Sequence, residues 1–410
     1  MSSTIVIAGG ALLFIIGLIS DSRPITVGGA YIAAAALLAV AYAKGSMGRI
    51  RYRRRLSSTT AMVGDALTLR IEVENRKPLP VLWLSCEDEV PDTSALGIPE
   101  TYHHYRTGRA ILQNVTYLKW FERVEREFPV RCLSRGVFTL GPVRLSTGDI
   151  LGFKEASMVL PGSDTLVVYP RMATVKGINW DERSPLGDSP ARGWLNPDPL
   201  TVAGARPYAA GTPLRQVAWR ATARTGEMLE KLLEPTRQRN MVVALSLSTG
   251  ERYWEGVDTE LLDTAVFLCA SICRDLLHRG IPFGLASNAA GARLAGSSIL
   301  IPPGSSRGHL LKVLETLARV SVPWMEFYAT LRTLAREVDA DTGVAVIMTR
   351  QLKADWDAAL ALASGGRQVA VIVLSPDNRF RSYYGEIPTY SPAFPVDWRT
   401  SEVISLERLD

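Results

Sequence analysis

Cysteine and histidine are scarce in this 410-residue chain, with four of each. Cys86, Cys132, Cys269 and Cys273 form neither a Cys-x-x-Cys pair nor a Cys/His block of zinc-finger spacing. That argues against a disulfide-stapled secreted domain and against structural zinc. His103 and His104 are adjacent, and neighbours on a strand point to opposite faces, so a surface loop is expected there rather than a metal site. No H-E-x-x-H helix or Cys-His arrangement is present. A P-loop is missing too: Pro303-Gly304-Ser305-Ser306-Arg307-Gly308-His309 lacks the Gly-Lys-Ser/Thr ending and is expected to cap a helix beginning near Arg307. No Lys or Arg precedes the first apolar run, which removes the basic n-region of a cleaved signal peptide.

What is present begins with two apolar runs, Ile5 to Ile19 and Ile25 to Ala43, separated by Asp21-Ser22-Arg23-Pro24. Each is long enough for a spanning helix when flanking small residues are added, and so short a turn admits only an antiparallel hairpin. Residues 1–56 are therefore expected to hold two transmembrane helices, about 4–20 and 25–43, and a basic juxtamembrane segment. Lys44, Arg49, Arg51, Arg53, Arg54 and Arg55 follow the second run without an acidic residue. By the positive-inside rule they place both termini and the large C-terminal region in the cytoplasm of a two-pass membrane protein. The cluster also suits anionic lipid headgroups. It accounts for the net charge of +5 and the pI near 9.0 without nucleic acid.

Two soluble textures follow. Over 57–170 apolar residues alternate with polar ones, as at Leu67, Leu69, Ile71 and Val73, and turn signals recur at Gly64-Asp65, Gly108, Arg135-Gly136 and Gly148-Asp149. Short strands at that spacing predict an antiparallel beta-sandwich. Over 240–410 the apolar runs Met241 to Leu247, Ile281 to Ala286, Val344 to Met348 and Val369 to Leu374 read as strands buried on both faces. Helical stretches near 260–279, 307–320, 325–337 and 353–363 alternate with them, which predicts an α/β domain with a parallel sheet. Cys269 and Cys273, one turn apart, are expected in its core. Ligands in such folds sit at the carboxyl ends of the strands, where Ser246, Ser248, Thr349 and Arg350 fall. Hydroxyls without a carboxylate are a poor set for a hard divalent cation.

Residues 171–239 form a linker with the most distinctive string: Arg206-Pro207-Tyr208, Gly211-Thr212-Pro213-Leu214-Arg215 and Trp219-Arg220-Ala221-Thr222-Ala223-Arg224-Thr225-Gly226-Glu227. It resembles the signature of the DUF58 family, R-x-Y-x-x-G-D-x-x-R-x-I-x-W-x-A-x-A-R-T-G, and departs from it at Thr212, where the family has Asp. Ser134 to Pro142 and Gly148 to Phe153 resemble two further family blocks. The resemblance implies a membrane-anchored protein whose α/β domain is von Willebrand factor A-like (Rossmann-like). It also implies a MoxR-type AAA+ ATPase and a membrane transglutaminase-like protein as partners. In the A-domain pattern D-x-S-x-S and Thr-Asp help hold a metal. Ser246, Ser248 and Thr349-Arg350 stand at those positions here with both carboxylates lost, so a degenerate site and no metal or other cofactor are expected.

The function expected on these grounds is a non-enzymatic membrane-anchored adaptor or assembly factor. Its signature positions are Arg206, Tyr208, Gly211, Arg215, Trp219, Arg220, Thr222 and Arg224. Guanidinium groups beside an indole suit either a pinned junction or a partner-binding hot spot, and both readings stay open at this point. The alternative is a membrane-associated hydrolase or transferase with an unrecognised active site.

Overall fold

A computed structural model describes residues 3–103, 108–148, 155–178, 180, 197–209, 213–235, 240–290, 298–393 and 396–409. The chain divides into two compact units, Met1–Arg171 and Met172–Asp410.

The first unit opens with two helices, α1 (Ser3–Ile19) and α2 (Arg23–Ser46). They pack antiparallel through glycines: a Cβ on Gly10 would strike the Ala33 backbone, one on Gly17 would strike Thr26, and one on Gly29 would strike Phe14. Small residues at a helix crossing let the backbones approach closely. Pro24 in the first turn of α2 costs no hydrogen bond there. Among the described residues one stretch, Arg23–Tyr42, is long and apolar enough to cross a membrane; Ile5–Ile19 is apolar but shorter.

Among the described residues twelve strands follow: β1 (Ile50–Leu56), β2 (Thr60–Met62), β3 (Ala66–Asn75), β4 (Val81–Pro91), β5 (Leu96–Gly97), β6 (Thr101–His103), β7 (Arg109–Leu118), β8 (Arg123–Cys132), β9 (Gly136–Leu140), β10 (Val143–Gly148), β11 (Glu155–Leu160) and β12 (Asp164–Tyr169). A four-stranded sheet has the order β1-β3-β8-β5, a five-stranded one β11-β10-β4-β7-β6 and a three-stranded one β2-β12-β9. Pairing is antiparallel except between β2 and β12. Alternation decides which side chains enter the core: Leu69, Ile71 and Val73 are buried from β3, and Ala110, Leu112 and Leu118 from β7.

Part of the basic segment is itself a strand: Ile50–Leu56 pairs with β3, and Arg54 points inward. The Arg54 guanidinium meets buried Asp88 on β4 at 2.5 Å and Asp164 at 2.8 Å, and donates to the Leu140 carbonyl; the Tyr52 hydroxyl donates to the other Asp88 oxygen at 2.7 Å. A buried cation must find partners, and these join the four- and five-stranded sheets. Arg54 is thus unavailable to lipid. Arg51, Arg53 and Arg55, on the opposite face of β1, lie across from Glu74, Glu72 and Arg70 of β3.

The second unit contains an eight-stranded mixed sheet and a separate two-stranded arm. Its strands are β13 (Thr174–Lys176), β14 (Pro197–Pro207), β15 (Leu229–Pro235), β16 (Met241–Leu245), β17 (Phe283–Ala290), β18 (Ser298–Gly304), β19 (Gly343–Met348), β20 (Val369–Val373), β21 (Thr389–Pro392) and β22 (Val403–Leu409). Its longer helices are α3 (Trp219–Thr225), α4 (Thr259–His278), α5 (Arg307–Arg319), α6 (Phe327–Glu337) and α7 (Lys353–Ser364). The large sheet runs β13-β22-β21-β20-β19-β16-β17-β18. Its centre, β17-β16-β19-β20-β21, is parallel. The sheet is not parallel throughout: β18 at one edge pairs antiparallel with β17, and β22, next to the other edge, pairs antiparallel with β21. Val242, Ala244, Val344, Val346 and Val371 pack with Phe327, Leu331 and Leu334 of α6 and Trp356, Ala359 and Leu362 of α7. Each such buried aliphatic or aromatic side chain contributes roughly 1.5–3 kcal/mol. Cys269 and Cys273 are buried free thiols on α4, as are Cys86 and Cys132 in the first unit.

Candidate functional site

The carboxyl ends of β16, β17 and β19 bring Ser246, Ser248 and Thr349 together with Asn288, a residue the sequence pattern did not single out. All four are buried. The Thr349 hydroxyl donates to the Ser248 carbonyl at 2.6 Å, and the Ser248 amide donates to Ser246 Oγ at 3.3 Å. Asn288 Oδ1 accepts from the Leu247 amide at 2.9 Å, while its Nδ2 donates to Ser248 Oγ and to the Met325 carbonyl, each at 3.0 Å. These side chains are therefore engaged mainly by the backbone of the loops and, between Asn288 and Ser248, by each other, and no carboxylate stands among them to hold a hard cation. Among the described residues no group of three His, Cys, Asp or Glu side chains has the proximity to hold a metal ion. A local signal for Asn288 does exist: Ser287-Asn288 interrupts the apolar strand β17.

Above this layer the edge carries charge. Arg350 pairs with Glu251 at 3.0 Å, and Asp377 with Arg379 at 2.7 Å. The Arg379 side chain and backbone amide hold the Asp377 carboxyl below the usual carboxylate range. The cation at position 350 thus engages a surface carboxylate on the loop after β16.

Between β18 and α5, Gly304-Ser305-Ser306-Arg307-Gly308 spells G-x-S-x-G and joins a strand to a helix, as a hydrolase nucleophile would require. A nucleophile elbow holds its serine in a strained turn. Ser306 instead has extended φ and ψ of −96° and 157°, and its hydroxyl accepts from the His309 amide at 3.0 Å. It is the N-cap of α5. His309 Nε2 lies 2.7 Å from the Phe283 carbonyl, so its ring is engaged away from Ser306.

The described signature residues lie on the arm formed by β14, α3 and β15 and on the segments that join them. Arg206 and Glu230 face each other across the antiparallel pair and join at 2.5 Å. Glu230, absent from the sequence-based set, is buried and also accepts from the Ala209 amide. The Tyr208 amide donates to the Met228 carbonyl. Thr222 ties α3 down: its hydroxyl accepts from the Leu229 amide at 3.0 Å. Gly226 ends α3 in the left-handed region at φ 78°, a conformation that costs a non-glycine residue strain and accounts for the Thr-Gly step. Arg206 and Thr222 thus hold the arm together. Trp219 is 60% exposed, with Leu214 at 65% and Met228 at 45%, and Arg220 and Arg224 are exposed as well. Gly211 and Thr212 lie outside the described residues, as does the side chain of Arg215.

Elsewhere a shallow pocket is lined by Tyr52, Arg54, Val143, Leu160 and Asp164. The Arg54 charge that would attract an anion there is already taken up by Asp88 and Asp164.

The chain is 25% identical over 332 residues to "Uncharacterized protein YeaD" of Bacillus subtilis (strain 168), a match covering 79% of this chain and 76% of that protein. Among solved structures it resembles a cohesin module from a Clostridium perfringens ATCC13124 family 33 glycoside hydrolase, at 10% identity and a TM-score of 0.22, covering 29% of this chain and 96% of the module. It also resembles the sporulation control protein Spo0M of Bacillus subtilis, at 10% identity and a TM-score of 0.19, covering 30% of this chain and 50% of that one. Residues 204–387, which contain both Trp219 and the closed sheet edge, match the family described as "Protein of unknown function DUF58".

Proposed function

We propose that this protein is a non-enzymatic, membrane-anchored adaptor that presents a von Willebrand factor A-like domain to partner proteins in the cytoplasm. The observation that carries the reading is the arm. An exposed Trp219, flanked by exposed Leu214, Met228, Arg220 and Arg224, sits on a segment fixed by the Arg206–Glu230 pair and the Thr222 hydroxyl. Tryptophan and arginine dominate binding hot spots, and pre-fixing the backbone lowers the ordering cost of association. The inward-turned Ser246, Ser248, Asn288 and Thr349 support protein binding without a metal bridge.

In this reading α1 and α2 form a two-pass anchor. Lys44, Arg49, Arg51, Arg53 and Arg55 keep the following region on the cytoplasmic side even with Arg54 buried. The partner fitting the family resemblance is a MoxR-type AAA+ ATPase, with a membrane transglutaminase-like protein as a second. The test is affinity capture of the detergent-solubilised chain from its native cells, with and without ATP, using wild type and Trp219→Ala. Nucleotide-dependent recovery of an AAA+ ATPase by wild type, lost in a Trp219→Ala variant of unchanged melting temperature, is the expected result. Equal capture by the two proteins refutes the role given to the arm.

A further inference from the structure

The end of the first unit from which α2 emerges is built from two turns pinned to the helix. Lys77 is buried, and its ammonium donates to the Ser46 carbonyl and, at 2.7 Å, to the Gly48 carbonyl. It thereby satisfies the last carbonyl of α2, of the kind a helix end leaves without a partner, and one in the turn that follows. The Tyr42 hydroxyl donates to the Pro80 carbonyl at 2.8 Å and accepts from the Leu82 amide at 3.2 Å. The Leu79 side chain lies against Gly45. Residues 77–82 are thus fastened along the last turns of α2.

The β7–β8 turn is fastened to the same place. Asn75 Nδ2 donates to the Leu79 carbonyl at 2.9 Å and the Lys119 carbonyl at 2.8 Å. The Phe121 amide donates to the Lys77 carbonyl, and the Asn75 amide to the Glu122 carbonyl. At the tip Trp120 is 66% and Phe121 67% exposed, with Tyr117 and Leu82 exposed beside them. Phe121 has φ 55°, a left-handed conformation uncommon for a bulky residue. Four large side chains are therefore held out in solvent by a hydrogen-bonded scaffold.

Their height relative to α2 identifies what covers them. The apolar span of α2 ends at Tyr42, and Ser46 lies about 6 Å further along the axis. The headgroup layer on each side of a bilayer is about 5–8 Å deep. The 77–82 turn, bonded to Tyr42, Ser46 and Gly48, falls within that layer, where Trp and Tyr concentrate, and the β7–β8 turn is bonded to it through Asn75 and Lys77.

We propose that Trp120 and Phe121, with Tyr117 and Leu82, form an interfacial foot that inserts into the phospholipid headgroup layer of the bilayer crossed by α2. This rests on the reading that α2 spans a membrane. The foot gives the sandwich a second point of attachment, so it is held at a fixed tilt instead of swinging about the end of one helix.

The test uses the full chain in nanodiscs of phosphatidylcholine and phosphatidylglycerol. A nitroxide is placed in turn at Trp120→Cys, Phe121→Cys, Ile32→Cys and Ser94→Cys; the four native thiols are buried. Ser94 follows β4, about 33 Å from the Pro80 end of that strand, and is exposed. Collision with lipid-soluble oxygen is compared with collision with a water-soluble nickel chelate. Oxygen is expected to dominate at 32, 120 and 121, and the chelate at 94. If 32 reports lipid while both 120 and 121 report water, the foot is refuted and the anchor stands. Labels at 120 and 121 shielded from both reagents mean that protein covers the tip, which also refutes it. Chelate dominating at 32 removes the spanning helix itself, and the foot with it.

Discussion

Asp355 gives the second unit a pH dependence whose direction follows from its surroundings. It lies in the first turn of α7 and is 1% exposed. Burial raises its carboxyl from 3.8 to about 7, against the Tyr328 backbone amide, which favours the charged form; nearby Glu326 raises it further. At about 1.4 kcal/mol per tenfold change in proton affinity, the folded unit prefers the neutral acid by about 4 kcal/mol. The unfolded chain ionises near 4 and the folded one near 7. Stabilisation by the neutral acid is therefore complete below 4, falls as pH rises to 7 and is gone above it. Asp355→Asn supplies a neutral acceptor of the same shape. We expect it to match wild type within about 1 kcal/mol at pH 4.5 and to exceed it by about 2–4 kcal/mol at pH 8. Urea unfolding of the full chain in mild detergent, followed by amide exchange in peptides covering α7, measures both. Wild-type stability that rises between pH 5 and 8, or an Asn variant that tracks it at every pH, refutes the assignment.

Three further outcomes can be measured. Asp88→Asn leaves the buried Arg54 guanidinium with half-exposed Asp164 as its carboxylate beside the Leu140 carbonyl, at a cost of about 3–5 kcal/mol, whereas Asp164→Asn costs about 1 kcal/mol or less. Amide exchange in peptides covering 50–56 and 84–91 should speed up by roughly two to three orders of magnitude in the first variant only; equal acceleration contradicts the ranking. Asn288→Ala strips partners from Leu247, Ser248 and Met325 and should cost about 3 kcal/mol, while Ser287→Ala removes a buried hydroxyl that has no partner and should be neutral or stabilising. Melting curves that rank the two variants the other way count against the closed-edge description. Calorimetric titration with magnesium should give no saturable heat from the Ser246–Thr349 edge, and binding lost on Ser248→Ala would overturn that expectation.

Local pattern made much of this molecule legible in its sequence. Runs such as Val344 to Met348 and Val369 to Leu374 are strands within a residue or two, because burial on both faces leaves no polar break. The apolar stripe of α4 was legible from its helical spacing. Long-range partners were not visible. Arg54 reads as one more positive charge in a basic run until β4 brings Asp88, 34 positions away, against it. Glu230 reads as an ordinary acid in a short strand until β14 supplies Arg206. Asn288 had a local signal, a polar pair inside an apolar strand, but its role depends on loops after β16 and before α6. The outer strands of the large sheet were hidden because β18 and β21 contain prolines, β21 is short and β22 alternates.

Strand β13 also constrains how the second unit can assemble. Thr174, Val175 and Lys176 pair with Val403, Ile404 and Ser405, and Gly177 follows at a spot where the Leu406 carbonyl leaves no room for a side chain. The earliest strand of the unit to leave the ribosome has its sheet partner among the latest. Closing such a distant pair is slow, because loop entropy is lost before the contact forms. Until residues 403–409 emerge, β13 and the β21 edge both lie open, and the unit reaches its native sheet only after nearly all of it has been synthesised.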